Sequence, residues 1–240
     1  MANTSALLRY RDFAKTASAL GWERPEAKFP ALPVPGLNEL LGQGLCRGAI
    51  AEVTGRRSSG RTSIALHILA QATAHGEICA VIDLYNNFHP ASAQAAGVEL
   101  DRIVWVGCRG NAEHAMRATD LLLHAGGFGV VLLDLCDAPA RVLNRIPLSY
   151  WYRFRRTVEH TPAILLICAD SAQAKSCSSN SIELKPKVFH WSGKAPFLLL
   201  RGMEATALLQ RACGILNRAP QAPNALCARA AGASSVQVMV

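Results

Sequence analysis

Between residues 49 and 169 short apolar runs alternate with longer stretches of helical periodicity, and this alternation constrains the fold more than any other feature. Runs over 49–54, 78–84, 103–106, 130–135 and 163–169 have strand length and are apolar almost throughout. Helix-like stretches over 62–75, 92–97, 112–125 and 149–158 separate them. A strand that is apolar on both sides has to be covered on both faces. Helices between such strands make parallel crossovers, so the pattern predicts an α/β fold with a mostly parallel central sheet flanked by helices. Beyond Lys185 the alternation stops, and 188–191 and 197–201 read as a small antiparallel C-terminal edge.

Composition narrows the class. The chain has 240 residues, 50% hydrophobic and 18% charged, enough to bury a sizeable core. Its formal charge of +8 is carried by 19 Arg against 6 Lys. Arginine suits phosphate forks and base stacking, and the charges are scattered, which argues against a polyanion-binding tail. No apolar run approaches the roughly 20 residues that span a bilayer. With no secretory signal pattern either, the expectation is a cytoplasmic, nucleoid-associated protein without membrane contact. The eight cysteines form no C-x-x-C pair, which predicts buried thiols in a reducing compartment and no metal site. Three segments are expected: an N-terminal helix and proline-rich linker over 1–30, a core over 31–205, and a helix end with a flexible tail over 206–240.

The loop between the first strand and the first long helix carries the chemistry. Gly55-Arg56-Arg57-Ser58-Ser59-Gly60-Arg61-Thr62 has the spacing of a phosphate-binding P-loop, with a strand before it and a helix after it. Its glycines allow backbone N–H groups to turn inward on phosphate oxygens, and the helix N-terminus adds a favourable dipole. Gly55, Ser58, Ser59, Gly60, Arg61, Thr62 and Ser63 are the candidate nucleotide-binding residues. Asp134, closing a strand, is their acidic partner, and with Thr62 it would hold Mg²⁺ beside ATP. One position departs from the pattern: Arg61 stands where the lysine that reaches the terminal phosphates belongs, and its planar head makes the exchange non-conservative.

These residues resemble the RecA recombinases. The entry 36–55, the loop Ser58-Ser59-Gly60 before a basic residue and Thr62, Val81-Ile82-Asp83 ahead of His89-Pro90, Ala96-Gly97-Val98, and the strand ending in Asp134 follow the family's order over about residues 35–200. The resemblance implies a RecA-like P-loop core. It also marks departures. Where the family has a glutamate that activates water, this chain has Tyr85, and a phenol is no general base at neutral pH. The adenine-stacking aromatic aligns with Ser92, and the polar sensor falls at Ala169 or Asp170. Four altered chemical positions argue against an efficient ATPase.

A degenerate RecA core of this size resembles the ImuA family, RecA-like accessory proteins of bacterial damage-induced mutagenesis. That resemblance implies a role in the SOS response and translesion synthesis. It implies as partners an ImuB-type inactive Y-family polymerase homologue and an error-prone replicative-type polymerase, with RecA, a second copy or single-stranded DNA as further candidates. Two other readings stay open: a divergent ATP-dependent recombinase that binds single-stranded DNA, and a purely structural or inhibitory module. The candidate DNA-binding residues are Arg141, Arg145, Arg153, Arg155 and Arg156, interleaved with Tyr150, Trp151, Tyr152 and Phe154, a composition suited to phosphate contact and base stacking. On a helix, positions 151, 154 and 158 would face the sheet and Arg153 and Arg156 the solvent.

Overall fold

The computed structural model describes residues 37–41, 44–211 and 232–239; the expected N-terminal helix over 1–30 lies outside them. The elements in chain order are α1 (Leu37–Leu41), β1 (Ala49–Gly55), α2 (Arg61–Ala74), β2 (Ile78–Asp83), α3 (Pro90–Ala95), β3 (Ile103–Gly107), α4 (Ala112–Ala125), β4 (Phe128–Asp134), α5 (Ala140–Leu143), α6 (Leu148–Val158), β5 (Ile164–Ala169), β6 (Asn180–Lys194), β7 (Phe197–Arg211) and β8 (Gly232–Met239).

One sheet runs through the molecule in the order β3-β2-β4-β5-β1-β6-β7-β8. The first six strands are parallel, and β7 and β8 add antiparallel at one edge. Strand periodicity divides the core in two. Ala51, Val53, Val81, Val130, Leu132, Ile164 and Leu166 face α2, which buries Ile64, Ile68, Leu69 and Ala72 against them. Ile50, Ile82, Val131, Leu133, Leu165 and Ile167 face α4 and α6. α4 buries Met116, Thr119 and Leu123, and its first turn is closed by Asn111, whose side chain accepts from the backbone N–H of Glu113 (3.0 Å) and His114 (3.1 Å). α6 buries Trp151, Phe154 and Val158, the face its spacing predicts.

The C-terminal region differs from the sequence expectation. Residues 206–211 belong to β7, not to a helix end, and 232–239 form β8, which pairs with β7 over 202–209 where a flexible tail was expected. Alternation in Val236-Gln237-Val238 suits an added strand, and the open edge of β7 supplies the partner. β6 is also longer than 188–191. Its first residues pair parallel with β1, and its outer half leaves the core with β7 as a two-stranded arm that exposes Trp191 and Phe197. Among the described residues no helix is long and apolar enough to cross a membrane.

Candidate functional site

The phosphate loop joins β1 to α2 at the carboxyl end of the parallel strands, where open α/β sheets place their ligands. Ser58 (φ 62°) and Gly60 (φ 90°) take left-handed conformations that turn the chain into the helix. The Ser59 N–H is tied to the Arg56 carbonyl at 3.1 Å, and Ile64 N–H closes the first helical turn on Gly60. Ser59 is buried with its hydroxyl unpartnered. It lies against Gly55 so closely that a Cβ there would collide with it. Thr62 is exposed at the start of the 14-residue α2. The orphaned Ser59 hydroxyl, the glycine turn and the helix N-terminus fit a phosphate group. If a nucleotide binds, Ser58 to Ser63 would hold it, with Thr62 and Asp134 as the residues suited to Mg²⁺.

The side chain at the lysine position is committed elsewhere. The Arg61 side chain is 5% exposed. Its guanidinium donates to the Gly55 carbonyl, to Asp170 Oδ1, and to Asp137 Oδ1 at 2.9 Å. Arg57 donates to the other Asp137 oxygen at 2.9 Å, and the Asp137 N–H donates to Asp170 at 3.2 Å. Two arginines of the loop and two acids from the ends of β4 and β5 thus form a closed cage. The Arg57 hydrogen bond, foremost, holds the Asp137 carboxyl below the ordinary carboxylate range. A planar fork with five donors can satisfy three acceptors at once; a lysine could not hold the same geometry. Asp170 is one of the two positions, with Ala169, at which the polar sensor falls by resemblance, and it bonds to the unusual residue at 61.

The other departures also carry structural duties. Tyr85 lays its ring against Gly110 (φ 79°), where a Cβ would stand 3.2 Å from the ring. Ser92 belongs to the cap of α3, its Oγ 2.9 Å from His89 Nδ1 and its N–H donating to the same nitrogen. Asp83 is buried and accepts from the N–H of Asn87 (2.9 Å) and Phe88 (2.8 Å) and from Trp105 Nε1 (3.3 Å), which fixes the loop after β2. Asp134 accepts from the Cys136 N–H at 2.9 Å, and burial pushes its carboxyl up. Beside it Cys136 Sγ lies 3.4 Å from Cys168 Sγ. Five described cysteines are free and buried; Cys46 departs from the sequence expectation and is disulfide-bonded.

The five candidate DNA-binding arginines separate. Arg153 donates to Asp120 of α4 at 2.9 Å and lies over the Tyr150 ring, and Arg155 donates to Glu159 at 3.0 Å. Arg141, Arg145 and Arg156 form no ion pair with another described residue. Arg145 lines a groove of about 690 Å³ together with Arg109, Asn111, Met116, Pro147 and Tyr150. Arg109 escaped the sequence reading because it lies 32 or more residues before the basic cluster, and only the sheet brings the two loops together. The polar segment 171–181 is anchored to the sheet. Glu52 of β1 accepts from the N–H of Gln173 and Ala174, both at 2.7 Å, and Cys177, Ser178, Asn180 and Ser181 are buried.

Comparison with known proteins agrees with this geometry. The family described as RecA N-terminal domain matches residues 30–142. The chain is 33% identical over 127 residues to the Protein RecA of Bifidobacterium longum, covering 52% of this chain and 32% of that protein. It is 37% identical over 115 residues to that of Rickettsia canadensis, covering 47% and 33%. With that of Rhodopirellula baltica it is 41% identical over 95 residues, covering 40% and 25%. The chain therefore spans between a quarter and a third of the length of these relatives. The crystal structure of the RadB recombinase superposes with a TM-score of 0.56 at 18% identity, covering 75% of this chain and 88% of that one, a likeness of fold. On the order of its motifs, the matched span and the shared fold, the core of this chain is that of the RecA-like recombinase superfamily.

Proposed function

We propose that this protein is a RecA-like accessory factor of bacterial DNA damage tolerance that works by binding and hydrolyses little or no ATP. The Arg61 cage carries this reading. The only cation of the loop placed where a P-loop needs lysine is buried, and it is saturated by Gly55, Asp170 and Asp137. Preorganised charge aimed at the transferring phosphoryl group is the main source of catalysis in such sites, and here that charge is spent on protein acceptors. Tyr85, packed on Gly110, supplies no base at the position where RecA proteins carry one. What remains is a scaffold able to bind phosphate, partners and DNA. In this reading the partners are an ImuB-type inactive polymerase homologue and an error-prone replicative-type polymerase, and the protein acts in the cytoplasm on damaged nucleoid DNA. Single-stranded DNA would run across Arg141, Arg145 and Arg156 and the groove beside Arg109 and Tyr150.

Retained Thr62 and Asp134 favour a second reading, a divergent DNA-dependent ATPase of the recombinase type. Steady-state turnover with and without single-stranded DNA separates the two. The accessory reading expects no DNA-stimulated phosphate release, and it expects a Thr62→Ala strain to retain damage-induced mutagenesis. Robust turnover that Thr62→Ala abolishes would replace it with the ATPase.

A further inference from the structure

We propose that Asp134, Cys136 and Cys168 form a binding site for one thiophilic divalent cation, of which zinc is the natural example. The three side chains come from the ends of two neighbouring parallel strands. Asp134 is the ladder partner of Cys168 between β4 and β5, and Cys136 follows two residues later, held by its own N–H bond to Asp134. Their ligand atoms all lie within 4.8 Å of one another, and all three residues are buried. The two sulfurs stand 3.4 Å apart and remain unbridged. Tetrahedral zinc with Zn–S bonds of about 2.3 Å sets its sulfurs roughly 3.8 Å apart. A movement of a few tenths of an ångström would therefore admit the ion.

Charge supports the same conclusion. Binding releases the two thiol protons to solvent, and the ion then sits between two thiolates and one carboxylate, a centre with a single net negative charge. Cys136 and Cys168 are buried in the same apolar cluster as Leu132 and Leu166, so the sulfurs would be shielded from bulk water. Two thiols and a carboxylate prefer zinc over magnesium, which takes oxygen ligands. A fourth position stays open for water, as in zinc sites with three protein ligands. No spacing rule could find this site, because the thiols are 32 residues apart and only the β4–β5 ladder joins them. The inference does not rest on the accessory role proposed above; a carboxylate held by zinc is not free for Mg²⁺, so the zinc-loaded form would not be the ATPase of the second reading.

The test uses the full chain, purified reduced and stripped of metal, and titrated with Co²⁺. One equivalent should bind and give thiolate-to-cobalt charge-transfer absorption with the intense visible bands of a tetrahedral site, and Zn²⁺ should bleach both. Cys136→Ser and Cys168→Ser should each remove the charge-transfer band, and Asp134→Asn should weaken Co²⁺ binding at least tenfold. Cys79→Ser and Cys108→Ser should leave the spectrum unchanged. X-ray absorption on the unmutated zinc protein needs no variant to fold, and it should show two sulfur neighbours at about 2.3 Å. Absence of a thiolate band at saturating Co²⁺, its survival in Cys168→Ser, or a zinc shell without sulfur would each overturn the assignment. So would preferential conversion of the pair to a disulfide when zinc is present.

Discussion

The phosphate loop and helix α6 are both rich in arginine, yet they use it in opposite ways. In the loop, Arg57 and Arg61 are bound to Asp137 and Asp170, and Arg61 is almost wholly buried. Around α6, Arg141, Arg145 and Arg156 stay exposed and unpaired with described residues, while the helix is held down by Trp151, Phe154 and Val158. The difference shows how one composition serves two ends. A buried guanidinium has to be matched by acceptors and becomes part of the structure, whereas an exposed one costs little and remains available to a ligand. The net charge of +8 therefore does not measure binding capacity, because the loop's share is already spent.

That contrast orders the expected effects. The largest belongs to the apolar anchor of α6: Phe154→Ala should cost about 3–5 kcal/mol in urea unfolding, since the ring is fully buried against the sheet. A loss under 1 kcal/mol would mean that α6 is held by its surface charges instead. Next comes the cage. The double variant Asp137→Asn with Asp170→Asn leaves Arg61 buried without a counter-charge. It should cost roughly 2–3 kcal/mol, less than a fully enclosed pair because both acids are part-exposed and water can reach them.

The cage also predicts a pH dependence. The folded protein holds Asp137 below its ordinary pKa, so its contribution is complete above the unfolded value of about 3.9 and is lost as pH falls through the lower folded value. Stability of the unmutated chain should therefore drop below about pH 4, with a shallower drop in the double variant. Equal slopes in denaturation series at pH 3 and 7 would remove Asp137 from the account. Asp134 acts with the opposite sign, since burial raises its carboxyl and the ionised form costs stability at neutral pH. Asp134→Asn keeps an acceptor for the Cys136 N–H, and in metal-free protein it should raise the Tm at pH 7.

The smallest stability effects lie at the exposed arginines on α6 and in the segment before it. Arg153→Ala, which removes an exposed pair with Asp120, should cost under 1 kcal/mol. Arg141→Ala, Arg145→Ala and Arg156→Ala should each stay within about 0.5 kcal/mol of the parent. If these three meet phosphate, each should lower the salt dependence of single-stranded DNA binding by about 0.7 in the log–log slope. An unchanged slope in the triple variant would move any DNA contact elsewhere on the molecule.

Much of this was readable in the chain. Five apolar runs between helical stretches gave the parallel sheet, because strand and helix periodicities are local properties. The eight-residue loop announced itself through glycine spacing, and positions 151, 154 and 158 through helical spacing. Where the reading fell short, the missing information was long-range. Residues 232–239 looked like a tail because nothing local records that β7 offers them an open edge. Nothing local shows that the polar segment 171–181 is anchored, because Glu52, its clamp, lies more than a hundred residues earlier.

The sequence by itself determined that Arg61 stands in place of a lysine and that the polar sensor is lost at Ala169 or Asp170, two departures that looked independent. Only the tertiary structure decided that they are one feature, because the ends of β1, β4 and β5 lie side by side and bring the fork to its acids. The same adjacency sets Cys136 against Cys168. Side-chain chemistry is written residue by residue, but in a parallel sheet the groups that meet at the strand ends come from strands separated by whole crossovers. Their meeting is a property of strand order, which no local pattern records.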